Sequence, residues 1–363
     1  MKSISYSLIA AAAAVGMAFG ADTATTNPVG YTTVSCLPNS DTIVGLPLRI
    51  SATGASALSA PVAVNGASAT LSVTGTPFAA SAFTGTHYAK ITSGTNTGKW
   101  FAITGNTANS VTVDLNGATL SATTNDKFEI IKFWTLAELI NPATATTDPA
   151  TTPNAVVASL NAAGNGRRTE ILLPDLLTPG VNLSPAATFY VTGGEWRKSG
   201  EAGNFNTYQL WPDTYFIVRN PSAVTSATKY IASGEVDTSK FTVSLATQAL
   251  ERQDNFVALP RAVDIKLNEL GLANTSAFVS STGTAQNARQ DEILVFDNTS
   301  AARNRAPSAT YYYLAAGATP GWRKVGSGAD AGEDVIKGGS GLIIRKQKNN
   351  TGNTANWENT PNY

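Results

Sequence analysis

One cysteine, one histidine and two methionines stand among 363 residues, and only 14% of the chain is charged. A single cysteine, Cys36, excludes an intramolecular disulfide and any metal cluster built on several thiolates. A single histidine, His87, excludes zinc sites that need two, such as H-E-x-x-H. Globular chains usually carry about 25% charged residues; here Thr, Ser, Asn and Gly supply the polarity instead. The 25 basic and 25 acidic residues cancel. Without a basic excess there is no footprint for a phosphate backbone, which argues against nucleic acid as a partner. The same balance argues against an anionic membrane surface.

The one long apolar stretch lies at the start, MKSISYSLIAAAAAVGMAFG. Lys2 precedes an apolar run, and Ala18-Phe19-Gly20 offers small residues at both positions read by a signal peptidase. This order predicts a secretory signal peptide over 1–20, cleaved after Gly20. The run is shorter than the ~20 apolar residues of a membrane-spanning helix. No transmembrane segment is expected after cleavage, and the protein is expected outside the cytoplasm: periplasmic, at the cell surface or extracellular. Cys36 lies well beyond the apolar run, so it does not read as a lipidation site. Its run, Tyr31-Thr-Thr-Val-Ser-Cys36-Leu, is strand-like and predicts a buried thiol.

Internal similarity organises the rest. Five short motifs recur in order between 127–221 and 255–347. Thr135-Leu-Ala-Glu138-Leu139 matches Lys266-Leu-Asn-Glu269-Leu270, and Arg168-Thr-Glu170-Ile171-Leu172 matches Gln290-Asp-Glu292-Ile293-Leu294. Ala187-Thr-Phe-Tyr190 matches Ala309-Thr-Tyr-Tyr312, Trp196-Arg197-Lys198 matches Trp322-Arg323-Lys324, and Phe216-Ile-Val-Arg219-Asn220 matches Leu342-Ile-Ile-Arg345-Lys346. Constant order with drifting offset predicts two diverged copies of one fold. Thr42-Ile-Val-Gly-Leu-Pro47 likewise resembles Asn255-Phe-Val-Ala-Leu-Pro260.

Only in the first copy is that opening separated from the Leu-Ala-Glu-Leu motif, by residues 51–126. These alternate polar and apolar residues in five short segments near 70–74, 88–92, 100–104, 111–115 and 128–131, which predicts an inserted all-β module. The expected fold is mainly β: two copies of a sandwich- or barrel-like unit, with the small module inserted in the first. The expected division is 21–50 with 127–221 for copy one, 51–126 for the insert, 222–239 for a linker, 240–347 for copy two and 348–363 for a C-terminal tail. Gly193-Gly194 predicts a two-residue hairpin turn. Short helices are expected at 135–140 and 263–270, and an exposed loop at 142–153.

Several of these elements also occur together elsewhere. The signal peptide, the Val-Gly-Tyr-Thr-Thr-Val opening (29–34), Val-Gly-Leu-Pro-Leu (44–48), Ile-Thr-Ser-Gly-x-x-x-Gly-Lys-Trp-Phe (91–101), Phe-Glu-Ile-Ile-Lys-Phe-Trp-Thr-Leu (128–136) and Gly-Leu-Ile-Ile-Arg (341–345) resemble an uncharacterised family of exported proteins of verrucomicrobial bacteria. The resemblance implies export and this architecture. It brings no catalytic residue.

The motifs that could carry chemistry are weak. His87 would have to be the base of any Ser-His-Asp triad, yet no G-x-S-x-G accompanies it. Gly94-Thr-Asn-Thr-Gly98-Lys99-Trp100 has three residues between its glycines where a phosphate loop has four, and Trp where Ser or Thr is needed. Ser226-Ala-Thr-Lys229 fits S-x-x-K but lies in a β-branched stretch without companion motifs. Asp330-Ala-Gly-Glu333-Asp334 lacks the alternation of a calcium loop. Glu170 and Glu292 recur in both copies and are the strongest acids for a two-carboxylate glycosidase, but Arg168 and Arg289 beside them predict structural ion pairs. Trp196 and Trp322 recur beside Arg-Lys and are expected in the cores of their units. Trp211 and Trp357 have no repeat partner and are the freer candidates for function.

No catalytic, cofactor-binding or metal-binding residue is therefore assigned. The expected function is non-enzymatic, a structural or adhesive protein of the cell envelope whose partners are other envelope proteins or polysaccharide. The first alternative is carbohydrate binding through exposed aromatics; the second is a two-carboxylate glycoside hydrolase.

Overall fold

A computed structural model of the chain describes residues 27–147, 156–162, 166–317 and 319–361. The expected cleavage point after Gly20 and most of the 142–153 loop lie outside the described residues. The fold is mainly β, with 42% strand and 3% helix, in several antiparallel sheets that include a curled half-barrel.

Among the described residues the three largest apolar cores each draw on one part of the chain. The first gathers Val44, Leu139, Phe189, Trp196, Phe216 and Tyr230. The second gathers Phe241, Leu270, Phe278, Ile293, Trp322 and Trp357. The third lies wholly within 58–130 and includes Leu71, Ile91, Val113 and Phe128. Around the third core runs a seven-stranded sheet. All five of the alternating segments are strands in it, joined by Gly54–Ala57 and Ala63–Asn65 at one end of the order or the other.

Around the other two cores the sheets have the same order. In the first, the order is Glu195–Lys198, Ala187–Thr192, Glu170–Leu173, Phe216–Asn220, Ser40–Val44. In the second it is Gly321–Lys324, Ala309–Leu314, Glu292–Val295, Gly341–Lys346, Gln253–Ala258. Position by position these are the strands that carry the recurring motifs. A small pair, Trp134–Thr135 with Gln209–Leu210, is matched by Ile265–Lys266 with Val335–Ile336.

The stretches expected to be a linker and a tail are strands instead. Thr228–Val236 pairs with Val29–Cys36, and Asn353–Asn359 pairs with Phe241–Thr247. Each ribbon closes one core, with Tyr230 and Trp357 fully buried. Local chemistry agrees elsewhere. Gly193 and Gly194 both take positive φ, +62° and +76°, as a two-residue hairpin turn requires. Thr135 caps the four-residue helix Leu136–Leu139 through a capping box with Glu138. The expected second helix is only the 3₁₀ turn Leu267–Glu269. Lys266 stands at its cap position, and an ammonium offers no acceptor to a free backbone N–H.

Inside the two sheets, equivalent positions do equivalent work with different chemistry. The Val157 amide donates to Thr169 Oγ1, which donates to Asn220 Oδ1 at 2.7 Å. The Val279 amide donates to Asp291 Oδ2, which is paired with the Lys346 ammonium. One unit solves the buried position with a neutral hydrogen bond, the other with an ion pair.

The two units also face each other reciprocally. Asp41 forms an ion pair with Arg219 and accepts from the Asn304 amide of the second unit at 2.7 Å, while Arg219 donates to the Asn304 side chain. Asp254 forms an ion pair with Arg345 and accepts from the Asn182 amide of the first unit at 2.9 Å, while Arg345 donates to the Asn182 side chain. The Asp41 amide donates to Ala302 O and the Asp254 amide to Gly180 O; the Gly45 amide donates to Gly339 O and the Ala258 amide to Asp213 O. Contacts exchanged in this way are the signature of a twofold-like interface. Ile43, Tyr215, Ala258, Leu294 and Ile343 fill its apolar centre.

Removing one partner of a buried ion pair leaves the other charge uncompensated, at a cost of about 3–5 kcal/mol. Asp41→Ala and Asp254→Ala are each expected to lower unfolding free energy by about that amount in denaturant titration. A loss under about 1 kcal/mol would show that these pairs do not hold the interface.

Candidate functional site

The residues singled out in the sequence occupy separate places. Cys36 is fully buried, and burial pushes its thiol up to about 11. His87 hydrogen-bonds Thr86 Oγ1 through Nδ1 at 2.7 Å and lies edge-on to Phe83. Burial, then the nearby Lys132 charge, holds its pKa below the usual value.

The 94–98 turn has a structural use. Gly98 takes φ +92°, and a side chain there would meet the Phe241 backbone at 2.7 Å. The turn docks on the second unit, where Thr242 Oγ1 donates to Thr97 O. Ser226 lies in a bend and Lys229 is exposed on the strand Thr228–Val236, so the S-x-x-K match has no helix to align it.

The acids are committed one by one. Glu170 pairs with Arg167, rather than with Arg168, at 3.4 Å. Glu292 is held between Arg252 and Arg289 at 2.7 and 2.9 Å. In the 330–334 turn, Asp330 accepts from the Gly332 amide, Glu333 pairs with Lys266 and Asp334 accepts from the Tyr311 hydroxyl. Among the described residues no three His, Cys, Asp or Glu side chains gather as metal ligands.

The tryptophans divide cleanly. Trp196 is fully buried and donates from Nε1 to Ile140 O; Trp357 is fully buried and donates to Leu270 O. Trp322 is fully buried too, packed on Phe278 and Tyr313, and its Nε1 has no hydrogen-bond partner. Trp357, read from sequence as free for function, is therefore a core residue. Trp211 remains 40% exposed.

Trp211 stands at a cleft of about 760 Å³ between the inserted module and the second unit. That size falls within the usual range for small-molecule sites, roughly 300–1,000 Å³. One wall is the inserted module, through Trp100 and the 114–119 turn; the other is the outer face of the ribbon Phe241–Thr247 with Asn353–Asn359. The rings of Trp211 and Trp100 meet edge to face at 5.7 Å between centroids. The Trp100 indole N–H also donates to the Asp213 carboxylate, yet burial still holds that carboxyl above the usual carboxylate range. Of the other charged lining groups, Asp254 is bound by Arg345, and Lys99 donates to Thr119 O at 3.2 Å. Sequence reasoning did not find this cleft, because its walls come from segments far apart in the chain, around 99–119, 211–214, 242–257 and 354–356. Only the unmatched Trp211 signalled it.

No family model, curated protein or solved structure matches the chain.

Two outcomes follow from this arrangement. Trp322→Ala removes a fully buried ring and should cost about 3–5 kcal/mol, whereas Trp211→Ala should cost far less. Comparing their thermal midpoints with the parent checks this; equal losses would contradict the placement of Trp211 at a surface. Asp213 gives a pH signature. Its pKa is higher folded than its ordinary 3.8, so the folded state binds the proton more tightly than the unfolded state. Stability from this group is therefore present at low pH and lost as pH rises from about 4 through the folded pKa. Asp213→Asn should remove that component from a plot of unfolding free energy against pH. An unchanged plot would contradict the assignment.

Proposed function

We propose that the chain is an exported, non-enzymatic protein of the cell envelope with a structural or adhesive role. It is built from two diverged copies of one sandwich-like β unit, with module 51–126 inserted in the first. The observation that carries this reading is the reciprocal interface. Asp41, Arg219, Asp254 and Arg345 are spent on locking two units into one body, and Asn182 and Asn304 complete both locks. Such a body suits load-bearing or presentation of a surface. The signal-peptide pattern of residues 1–20 supports export.

Carbohydrate binding is the second reading, favoured by the exposure of Trp211 in the cleft. A two-carboxylate hydrolase has less support, since Glu170 and Glu292 are each bound by arginine on different sheets.

The test is fractionation of producing cells with N-terminal sequencing, together with turnover assays on ester, peptide, nucleotide and glycoside substrates. The expected result is a product starting at Ala21, recovered outside the cytoplasm, with no turnover. Cytoplasmic recovery of the uncleaved chain would overturn export. Turnover abolished by Glu170→Gln or Glu292→Gln would overturn the non-enzymatic reading.

A further inference from the structure

The cleft at Trp211 is where the twofold-like relation between the units breaks. The paired bonds from Gly45 to Gly339 and from Ala258 to Asp213 fix the correspondence of Asp213 with Gly339. Trp211 then corresponds to Lys337, which is exposed and paired with Asp264. The ion-pair clamps are kept in kind on both sides, as Asp41 and Asp254, Arg219 and Arg345, and Asn304 and Asn182 show. Trp211 and Asp213 are not, and both line the cleft. The opposite wall is supplied by the inserted module, for which the second unit has no counterpart.

The lining is specific in its chemistry. Along the ribbon, Ser244 and Ala246 stand opposite Asn356 and Thr354 and form an uncharged floor. Asn116, Thr354 and Asn356 are exposed. Asn356 Oδ1 accepts from Ser244 Oγ at 3.2 Å, and its amide N–H₂ is a donor that an exposed residue can offer to a ligand. Of the charged lining groups, Asp254 is paired with Arg345, Asp114 and Asp213 are acidic, and Lys99 is held by Thr119 O, so the cleft gathers no cluster of positive charge for an anionic ligand. A rigid, half-exposed indole beside neutral amides and hydroxyls suits a ligand with apolar C–H faces and many hydroxyls.

We infer that this cleft binds a neutral oligosaccharide, one sugar face stacking on Trp211 and its hydroxyls meeting Asp213, Asn116 and Asn356. The assignment rests on the reading that the protein acts by binding rather than by turnover, and it names the class of ligand. The ribbon floor would run alongside further sugar rings, so a chain of several sugars fits better than a monosaccharide.

The test uses the full chain and calorimetric titration with hexasaccharides of β-1,4-linked glucose, xylose and mannose, with oligogalacturonate as the anionic comparison. At least one neutral hexasaccharide should bind saturably, with little dependence on salt. Trp211→Ala should weaken that binding about tenfold or more. Ser244→Trp, which fills the floor and gives up only the exposed hydrogen bond to Asn356, should do the same while melting with the parent; it carries the test if Trp211→Ala folds poorly. Failure of every neutral hexasaccharide to bind would overturn the assignment. So would parent-like binding by Ser244→Trp, or tighter binding of oligogalacturonate. Release of sugar product from a bound hexasaccharide would contradict the non-enzymatic reading and leave the cleft assignment standing; absence of both binding and product would contradict the cleft alone.

Discussion

Two buried carboxylate–guanidinium pairs, Asp41 with Arg219 and Asp254 with Arg345, set the relation between the halves of this protein. Each pair lies across neighbouring strands of its own sheet and receives an asparagine from the other unit. The asparagines sit in left-handed turns, with φ +55° at Asn182 and +48° at Asn304, a conformation that asparagine tolerates better than most residues. Backbone and side chain of one residue thus meet both ends of an ion pair. Parting the units strips the asparagine contacts from both pairs, so the cost of separation falls on both sides at once. The apolar centre around Ile43, Tyr215 and Ile343 adds area, and the clamps set its register.

This constraint also positions the cleft. The strand Lys127–Lys132 of the seven-stranded sheet is tied to the first unit by Arg49, which bridges Glu129 and Glu235, and Lys90 of the module pairs with Asp237. The module touches the second unit through the 94–98 turn. A cleft bounded by the module on one side and the second unit on the other keeps its width only if the two units stay fixed. The clamps, one of which also places Asp254 in the cleft lining, therefore determine whether Trp211 faces a defined space.

Much of the fold was legible in the sequence because strands repeat their side chains in kind. Trp196 and Trp322, or the Glu-Ile-Leu strands at 170–172 and 292–294, keep the same residue types where the same core must be filled. Legibility failed where equivalent positions use different chemistry. Tyr230 and Trp357 close equivalent ends of the two cores without resembling each other, so their strands read as a linker and a tail. Thr169 with Asn220 and Asp291 with Lys346 hide a shared role behind unlike residues. The reciprocal clamps involve Asp41 and Asn182, neither of which falls in a recurring motif. The cleft was the least legible feature, since a site assembled from several distant segments leaves no local pattern.

The central claim is that the two units form one body through reciprocal contacts. Native-state amide hydrogen exchange tests it directly at four positions whose N–H groups cross the interface: Asp41, Gly45, Asp254 and Ala258. If the units separate only on global unfolding, these four amides share one opening free energy, equal to that of the slowest core strands. If they exchange much faster than Ile171 and Ile293 in the centres of the two sheets, the units part without unfolding and the account is wrong.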